Sequence, residues 1–314
     1  MMRRYTLALL LAFGCGGTNP MGGDDVQPPM DGNGSNGGDA DTFQPPAGYT
    51  KLIGRTWTLA AGQHDIYKCV RIHVPTDTYI TSIIAQAPPG THHTVLSIAS
   101  SLGGSAGPDG EYDCEVRTLG LNMLYASGVG TSPLDFPTDV GVKIAAGTQI
   151  HLNLHLYNAS DDTLSGDSGI WVKSQPTAPP MLAEMQFAGP LDLTIPKMST
   201  NYPITSTCTI NNSYQLFALW PHMHKHAVHQ KIELLRGTAQ PVTLHDMPYQ
   251  FGEQKYWPQS PEIQLQPQDK IRVTCSYDNP TNADINWGDS SDEEMCFGGM
   301  YRYPSQGSIL FCQN

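Results

Sequence analysis

The chain has 314 residues and a mass of 34.2 kDa, enough to bury a sizeable core and, by length, to form two domains of ordinary size. Its 17 Lys and Arg are scattered against 29 Asp and Glu, giving a formal net charge of -12. So few cations leave no basic stripe for phosphates, which argues against a nucleic-acid partner.

Residues 1–15 read as an export signal: Arg3 and Arg4, an apolar run from Leu7 to Phe13, then Gly14 and Cys15. The run is too short to span a bilayer. Cys15 after Leu11, Ala12, Phe13 and Gly14 resembles a bacterial lipoprotein cleavage box, so one expectation is a membrane tether through lipidated Cys15, in the cell envelope. The other is an ordinary signal peptide and a secreted chain. Either compartment is oxidising.

Residues 16–47 are rich in Gly, Asp, Pro and Asn and poor in large apolar residues, so burial cannot offset the entropy of folding. This segment is expected to be a disordered tether, and Asp24, Asp25, Asp31, Asp39 and Asp41 in it account for part of the net charge.

From Tyr49 the texture changes to short apolar or alternating runs between Gly, Pro, Asn and Asp: DIYKCVRIHV, TYITSIIAQA, THHTVLSIAS, VGVKIAA and TQIHLNLHLYN. Such runs predict strands. Capped stretches with 3.6-residue periodicity are missing, so helices should be few and short. The Pro-rich SQPTAPPML at 174–182 marks a domain boundary. A second strand-rich block follows, with YQLFALWPHMHKHAVHQKIELLRG and PQDKIRVTCSYDN as its longest runs. The predicted architecture is all-β: two antiparallel, jelly-roll-like β-sandwich domains in tandem, at 48–178 and 179–314.

Histidines mark the chemistry. His92 and His93 are adjacent, and neighbours on a regular strand face opposite ways, so both reach one metal only at a bulge or strand end. His151 and His155 share one face of a strand whose leucines face the core. His222, His224, His226 and His229 fall within ten positions, and on one continuous strand the first three would share a face. About seventy residues later the acidic DSSDEEMC, read as a solvated loop, ends in Met295 and Cys296. A thioether beside imidazoles is a soft donor set that suits copper, particularly Cu(I). Beyond Cys15 the chain has six cysteines, an even set in an exported protein that predicts disulfides, although the spacing alone leaves the pairing open.

HHT at 92–94, HLY at 155–157, HMH at 222–224 and SSDEEMC at 290–296 resemble, in order and spacing, the copper type II, ascorbate-dependent monooxygenases. The resemblance covers about residues 50–314. It implies two copper ions, one held by His92, His93 and His155 for electron transfer, the other by His222, His224 and Met295 where dioxygen binds. It also implies disulfides Cys69–Cys114, Cys208–Cys312 and Cys275–Cys296. The implied reaction is hydroxylation of a C–H bond in a small organic substrate, using O2 and ascorbate or another one-electron reductant.

Two positions depart from the peptide-amidating members. Trp220 stands where they carry an arginine that grips the peptide carboxylate, and Gly299 where they carry a tyrosine. These departures argue against a glycine-extended peptide substrate and keep open a non-catalytic copper-binding or copper-delivery protein. His226 and His151 are read as solvated or backbone-bonded rather than as supporting or copper-facing groups, and His229 as supporting or incidental.

Overall fold

A computed structural model describes residues 43–312, apart from 103, 117, 119, 121, 129, 130, 253, 308 and 309. The expected export signal, Cys15 and the tether as far as residue 42 lie outside the described residues. Among the described residues there is no helix, and so none long and apolar enough to cross a membrane. The described residues fall in one compact unit, 38–314.

The strands between residues 50 and 182 make two sheets. One runs Thr50–Leu59, Leu164–Gln175, Thr78–Gln86, Val140–Ile144 and Met181–Leu182, with Leu134–Asp135 beside the third of these. The other runs Gly110–Asp113, Ile66–His73, Gln149–Leu156, Thr91–Ile98 and Asn122–Gly128. Ile53, Trp57 and Ile83 from the first sheet share a core with Val70, Leu96 and Leu152 from the second. Leu152, Leu154 and Leu156 alternate into that core, are fully buried, and stabilise it by roughly 2 kcal/mol each.

The strands between 184 and 312 repeat the plan. Trp257–Leu265, Tyr214–His222, Phe297–Tyr303, Glu184–Ala188 and Phe311–Cys312 make one sheet. Ser199–Thr209, Lys270–Asn279, Ala227–Leu235 and Val242–Pro248 make the other, beside the small pair Thr194–Ile195 and Ile285–Asn286. The pairings are antiparallel except for Met181–Leu182 on Val140–Gly141 and Phe187–Ala188 on Phe311–Cys312. The all-β, antiparallel sandwich architecture expected from the sequence is therefore what the chain adopts.

One sheet is buried on both faces. Phe217, Trp220 and Tyr301 belong to the core shared with residues 50–182, whereas Leu216, Leu219 and Met300 belong to the second core. This explains why the strand YQLFALWPH is almost uniformly apolar, with its alternation broken by an irregularity between Leu216 and Ala218.

All three implied disulfides are present: Cys69–Cys114, Cys208–Cys312 and Cys275–Cys296. Such bonds persist in an oxidising compartment.

One local expectation fails. The histidine-rich run is not a single strand: Tyr214–His222 ends at the first histidine, and Ala227–Leu235 belongs to the facing sheet. Residues 223–226 cross between the sheets, so His222, His224 and His226 do not share a strand face.

Candidate metal centre

His92 and His93 lie on Thr91–Ile98, beside Gln149–Leu156, where Thr91 pairs with Leu156 and His93 with His155. The register shifts between Thr91 and His93, so His92 is the extra residue of a β-bulge. The bulge turns both adjacent imidazoles the same way. Ring centroids lie 4.1 Å apart for His92 and His93, 5.1 Å for His92 and His155, and 5.4 Å for His93 and His155. One nitrogen from each ring lies within 4.8 Å of the others, a group able to hold a metal ion.

Neighbours select the nitrogens. Asp65 Oδ1 accepts from Nε2 of His155 at 2.9 Å, so Nδ1 is the nitrogen turned to the other rings, 3.4 Å from Nδ1 of His93. Asp65 adopts a φ of 55°, which aspartate tolerates better than most residues. Its hydrogen bond to His155 holds its carboxyl below the usual carboxylate range. Tyr67 stacks on His155 at 4.6 Å and fixes the ring plane. His92 Nδ1 is buried without a hydrogen-bond partner. A buried ring nitrogen left unmatched costs free energy, and in the tautomer that leaves its lone pair free this arrangement fits a group that an electron-pair acceptor would complete.

The second histidine pair sits where the chain leaves Tyr214–His222. His222 and His224 have ring centroids 5.3 Å apart. Each uses Nδ1 on an acceptor, Gln254 Oε1 at 3.0 Å for His222 and the Glu293 carbonyl at 3.0 Å for His224. Both Nε2 atoms keep their lone pairs.

Glu294 organises this corner. Its carboxylate is fully buried and accepts the backbone N–H groups of His224 at 2.9 Å, His226 at 2.7 Å and Met295 at 3.3 Å. One carboxylate oxygen thus ties the HxH turn to the methionine segment. The Tyr277 hydroxyl donates to the Met295 carbonyl at 2.7 Å, and Cys275–Cys296 anchors the next residue. Burial pushes the Glu294 carboxyl up to about 8, against the pull of the three N–H donors. The expectation of a solvated acidic loop therefore holds for exposed Asp292, which pairs with Lys225, but fails for Glu294.

Burial favours the neutral form of His92, His93, His222 and His224. It lowers His92 to about 4, helped by His155, lowers His222 to about 4, and lowers His224 to about 3, helped by His222. His93 is also pushed well below its ordinary value by burial. Neutral imidazole is the metal-binding form.

The two sets touch. His93 and His222 have centroids 6.5 Å apart, and Phe251 packs on His92 at 4.6 Å, His93 at 5.5 Å and His224 at 6.2 Å. Gln254 spans the gap, with Nε2 2.5 Å from His93 Nε2. Asp65, Phe251, Gln254 and the role of Glu294 were missed in the sequence, because each is distant in chain order from the ring it serves and none has metal-ligand spacing.

Residues 182–314 match the family model described as copper type II ascorbate-dependent monooxygenase, C-terminal domain. The match includes His222, His224, Gln254, Glu294 and Met295. Among solved structures, the major capsid protein P2 from bacteriophage PM2 is 11% identical, covering 82% of this chain and 100% of that chain, with a TM-score of 0.35. The infectious bursal disease virus VP2 subviral particle is 12% identical, covering 86% and 76%, with a TM-score of 0.25.

The two departures from the peptide-amidating monooxygenases are neighbours: Trp220 pairs directly with Gly299 across the ladder. Trp220 is 2% exposed and stacks under His222 at 4.9 Å and 12°. A Cβ at Gly299 would lie 2.9 Å from the Trp220 carbonyl and 3.1 Å from both Met185 and Phe187, so no side chain fits there.

The remaining histidines have local partners. His151 bonds the Tyr112 hydroxyl at 2.8 Å, His229 pairs with Asp246 at 3.1 Å, and His73 pairs with Asp109 at 2.8 Å.

Proposed function

We propose that this chain is a dicopper monooxygenase hydroxylating a C–H bond of a small organic substrate, with O2 and an ascorbate-like reductant. His92, His93 and His155 would hold the electron-transfer copper in an N-terminal domain, and His222, His224 and Met295 the copper at which O2 is used in a C-terminal domain. The observation that carries this reading is the pairing of a three-imidazole cluster with a second pair of neutral histidines whose Nδ1 atoms are both engaged, in a chain that matches the family's C-terminal domain. Copper, when bound, supplies the one-electron steps that O2 activation requires.

The protein's own part is positional. Asp65 and Tyr67 hold His155, the bulge turns His92 beside His93, and Glu294 holds the His224 turn against the Met295 segment. Trp220 is buried beneath His222, so no cation stands there to grip a peptide carboxylate, which disfavours a carboxylate-bearing peptide as substrate. Export through residues 1–15, with Cys15 acylated in the cell envelope or the chain secreted, is part of the same proposal.

The test is copper stoichiometry of the purified protein, then ascorbate-driven O2 consumption with a panel of aromatic amines and small apolar compounds. Two coppers with substrate-coupled turnover are expected. Two coppers with no coupled turnover would instead mean a copper-binding or delivery protein.

Asp65→Ala removes the acceptor for His155 Nε2–H and is expected to weaken copper at the three-histidine set by about 10- to 100-fold, with little change at His222 and His224. Competition against a Cu(I) chelator measures it; unchanged affinity would show that Asp65 does not select the His155 nitrogen.

A further inference from the structure

We propose that Gln254 couples the two histidine sets, because its single amide can complement only one of them when both hold metal. The inference rests on the two-site reading above and concerns what happens between the sites.

Gln254 is 1% exposed and its backbone is held in place: its carbonyl accepts from Thr131 Oγ1 at 2.6 Å, and two residues on the Tyr256 hydroxyl donates to the Ala126 carbonyl. The side chain reaches His222 Nδ1 at 3.0 Å through Oε1 and His93 Nε2 at 2.5 Å through Nε2. A carboxamide has one accepting end and one donating end. With no metal bound, every contact is complementary. His222 Nδ1–H donates to Gln254, Gln254 donates to His93 Nε2, His93 Nδ1–H donates to His155 Nδ1 at 3.4 Å, and His155 Nε2–H donates to Asp65 at 2.9 Å.

Metal changes the pattern at each end. A neutral imidazole that gives one nitrogen to a metal keeps its proton on the other. His93 turns Nδ1 toward the cluster, so filling that set leaves Nε2–H facing Gln254. His222 has Nδ1 on Gln254, so filling its set through Nε2 leaves Nδ1–H facing the same amide. The amide oxygen can meet either donor. It cannot meet both while its NH2 end faces the other ring. With both sets filled, one buried N–H opposes another, or Gln254 must withdraw from between the rings. Either outcome weakens the second metal relative to the first, by about tenfold if the mismatch costs what an unmatched buried donor usually does. The coupling is reciprocal.

The test is anaerobic titration of the full chain with Cu(I) against a competing chelator, reading the ratio of the second dissociation constant to the first. Gln254→Glu supplies two accepting oxygens, and Gln254→Leu removes the opposing NH2; far-UV circular dichroism checks that both variants fold. The ratio is expected to contract about tenfold in each variant. A ratio unchanged in Gln254→Glu overturns the coupling. Fewer than two Cu(I) bound by both wild type and Gln254→Glu overturns the two-site reading, and the coupling with it. Two bound by the variant against one by wild type supports the coupling in its extreme form.

Discussion

Met295→Ile is expected to lower substrate hydroxylation by more than ~100-fold while leaving one copper bound at His92, His93 and His155. Isoleucine keeps the volume and apolarity of a side chain that is 8% exposed, so packing should cost less than about 1.5 kcal/mol. What it removes is the soft thioether that the proposed second copper would need in its reduced state. The segment keeps its anchors, since Glu294, Tyr277 and Cys275–Cys296 hold the backbone rather than the side chain. The three-histidine cluster stands on Thr91–Ile98 and Gln149–Leu156, in another sheet. Copper stoichiometry falling from two to one, with turnover lost, is the anticipated result. Wild-type turnover in this variant would remove Met295 from the ligand set.

The metal-free protein is expected to lose most of its stability as pH falls from 6.5 to 4, with unfolding centred at about pH 5. Burial lowers His92, His151, His222 and His245 to about 4 and His224 to about 3, whereas in the unfolded chain the same rings take up protons near 6.5. The stabilisation from each neutral ring is thus full above 6.5 and lost as pH falls toward the folded value. At pH 5 a ring moved from about 6.5 to about 4 has given up about 2 kcal/mol. Because His92 and His224 owe part of their lowering to the neighbouring rings His155 and His222, the combined loss is smaller than the simple sum of roughly 10 kcal/mol.

Glu294 works the other way. Its folded value near 8 lies above its unfolded value, so it destabilises the fold as pH rises from 4.5 to 8 and returns about 2 to 3 kcal/mol on acidification. Five rings outweigh one carboxyl. The remaining loss is comparable to the whole stability of an ordinary domain, roughly 5 to 15 kcal/mol. Circular dichroism followed from pH 7.5 to 4 checks this, and Cu(I)-loaded protein should unfold at lower pH because metal competes with protons for the same nitrogens. A signal flat to pH 4.5 without metal would mean these rings are hydrated in solution.

Much of this molecule is legible locally. Alternation in HLNLHL placed the leucines on one face and the histidines on the other, both buried in the fold, because strand periodicity is a property of the backbone itself. The adjacency of His92 and His93 already demanded a bulge or a strand end if both were to serve one site, and the register shift shows it to be a bulge. The export context and even cysteine count predicted disulfides, whereas the pairs were named through the family resemblance.

Other features had no local signature. The histidine-rich run read as one strand because its alternation continues, yet Glu294, seventy residues away, captures the N–H groups of His224 and His226 and the run turns there. Glu294 itself looked like one more solvated acid, since charge in a sequence does not reveal burial. Gln254, Phe251 and Asp65 carry no motif. They matter only because folding sets them against rings 161, 159 and 90 residues away. Sequence by itself determined the strands, their inward faces and the donor types, which depend on neighbours along the chain. Tertiary structure alone decided which nitrogen each histidine presents and which side chain joins the two sets, because hydrogen-bond complementarity is set by distances in space that separation along the chain does not encode.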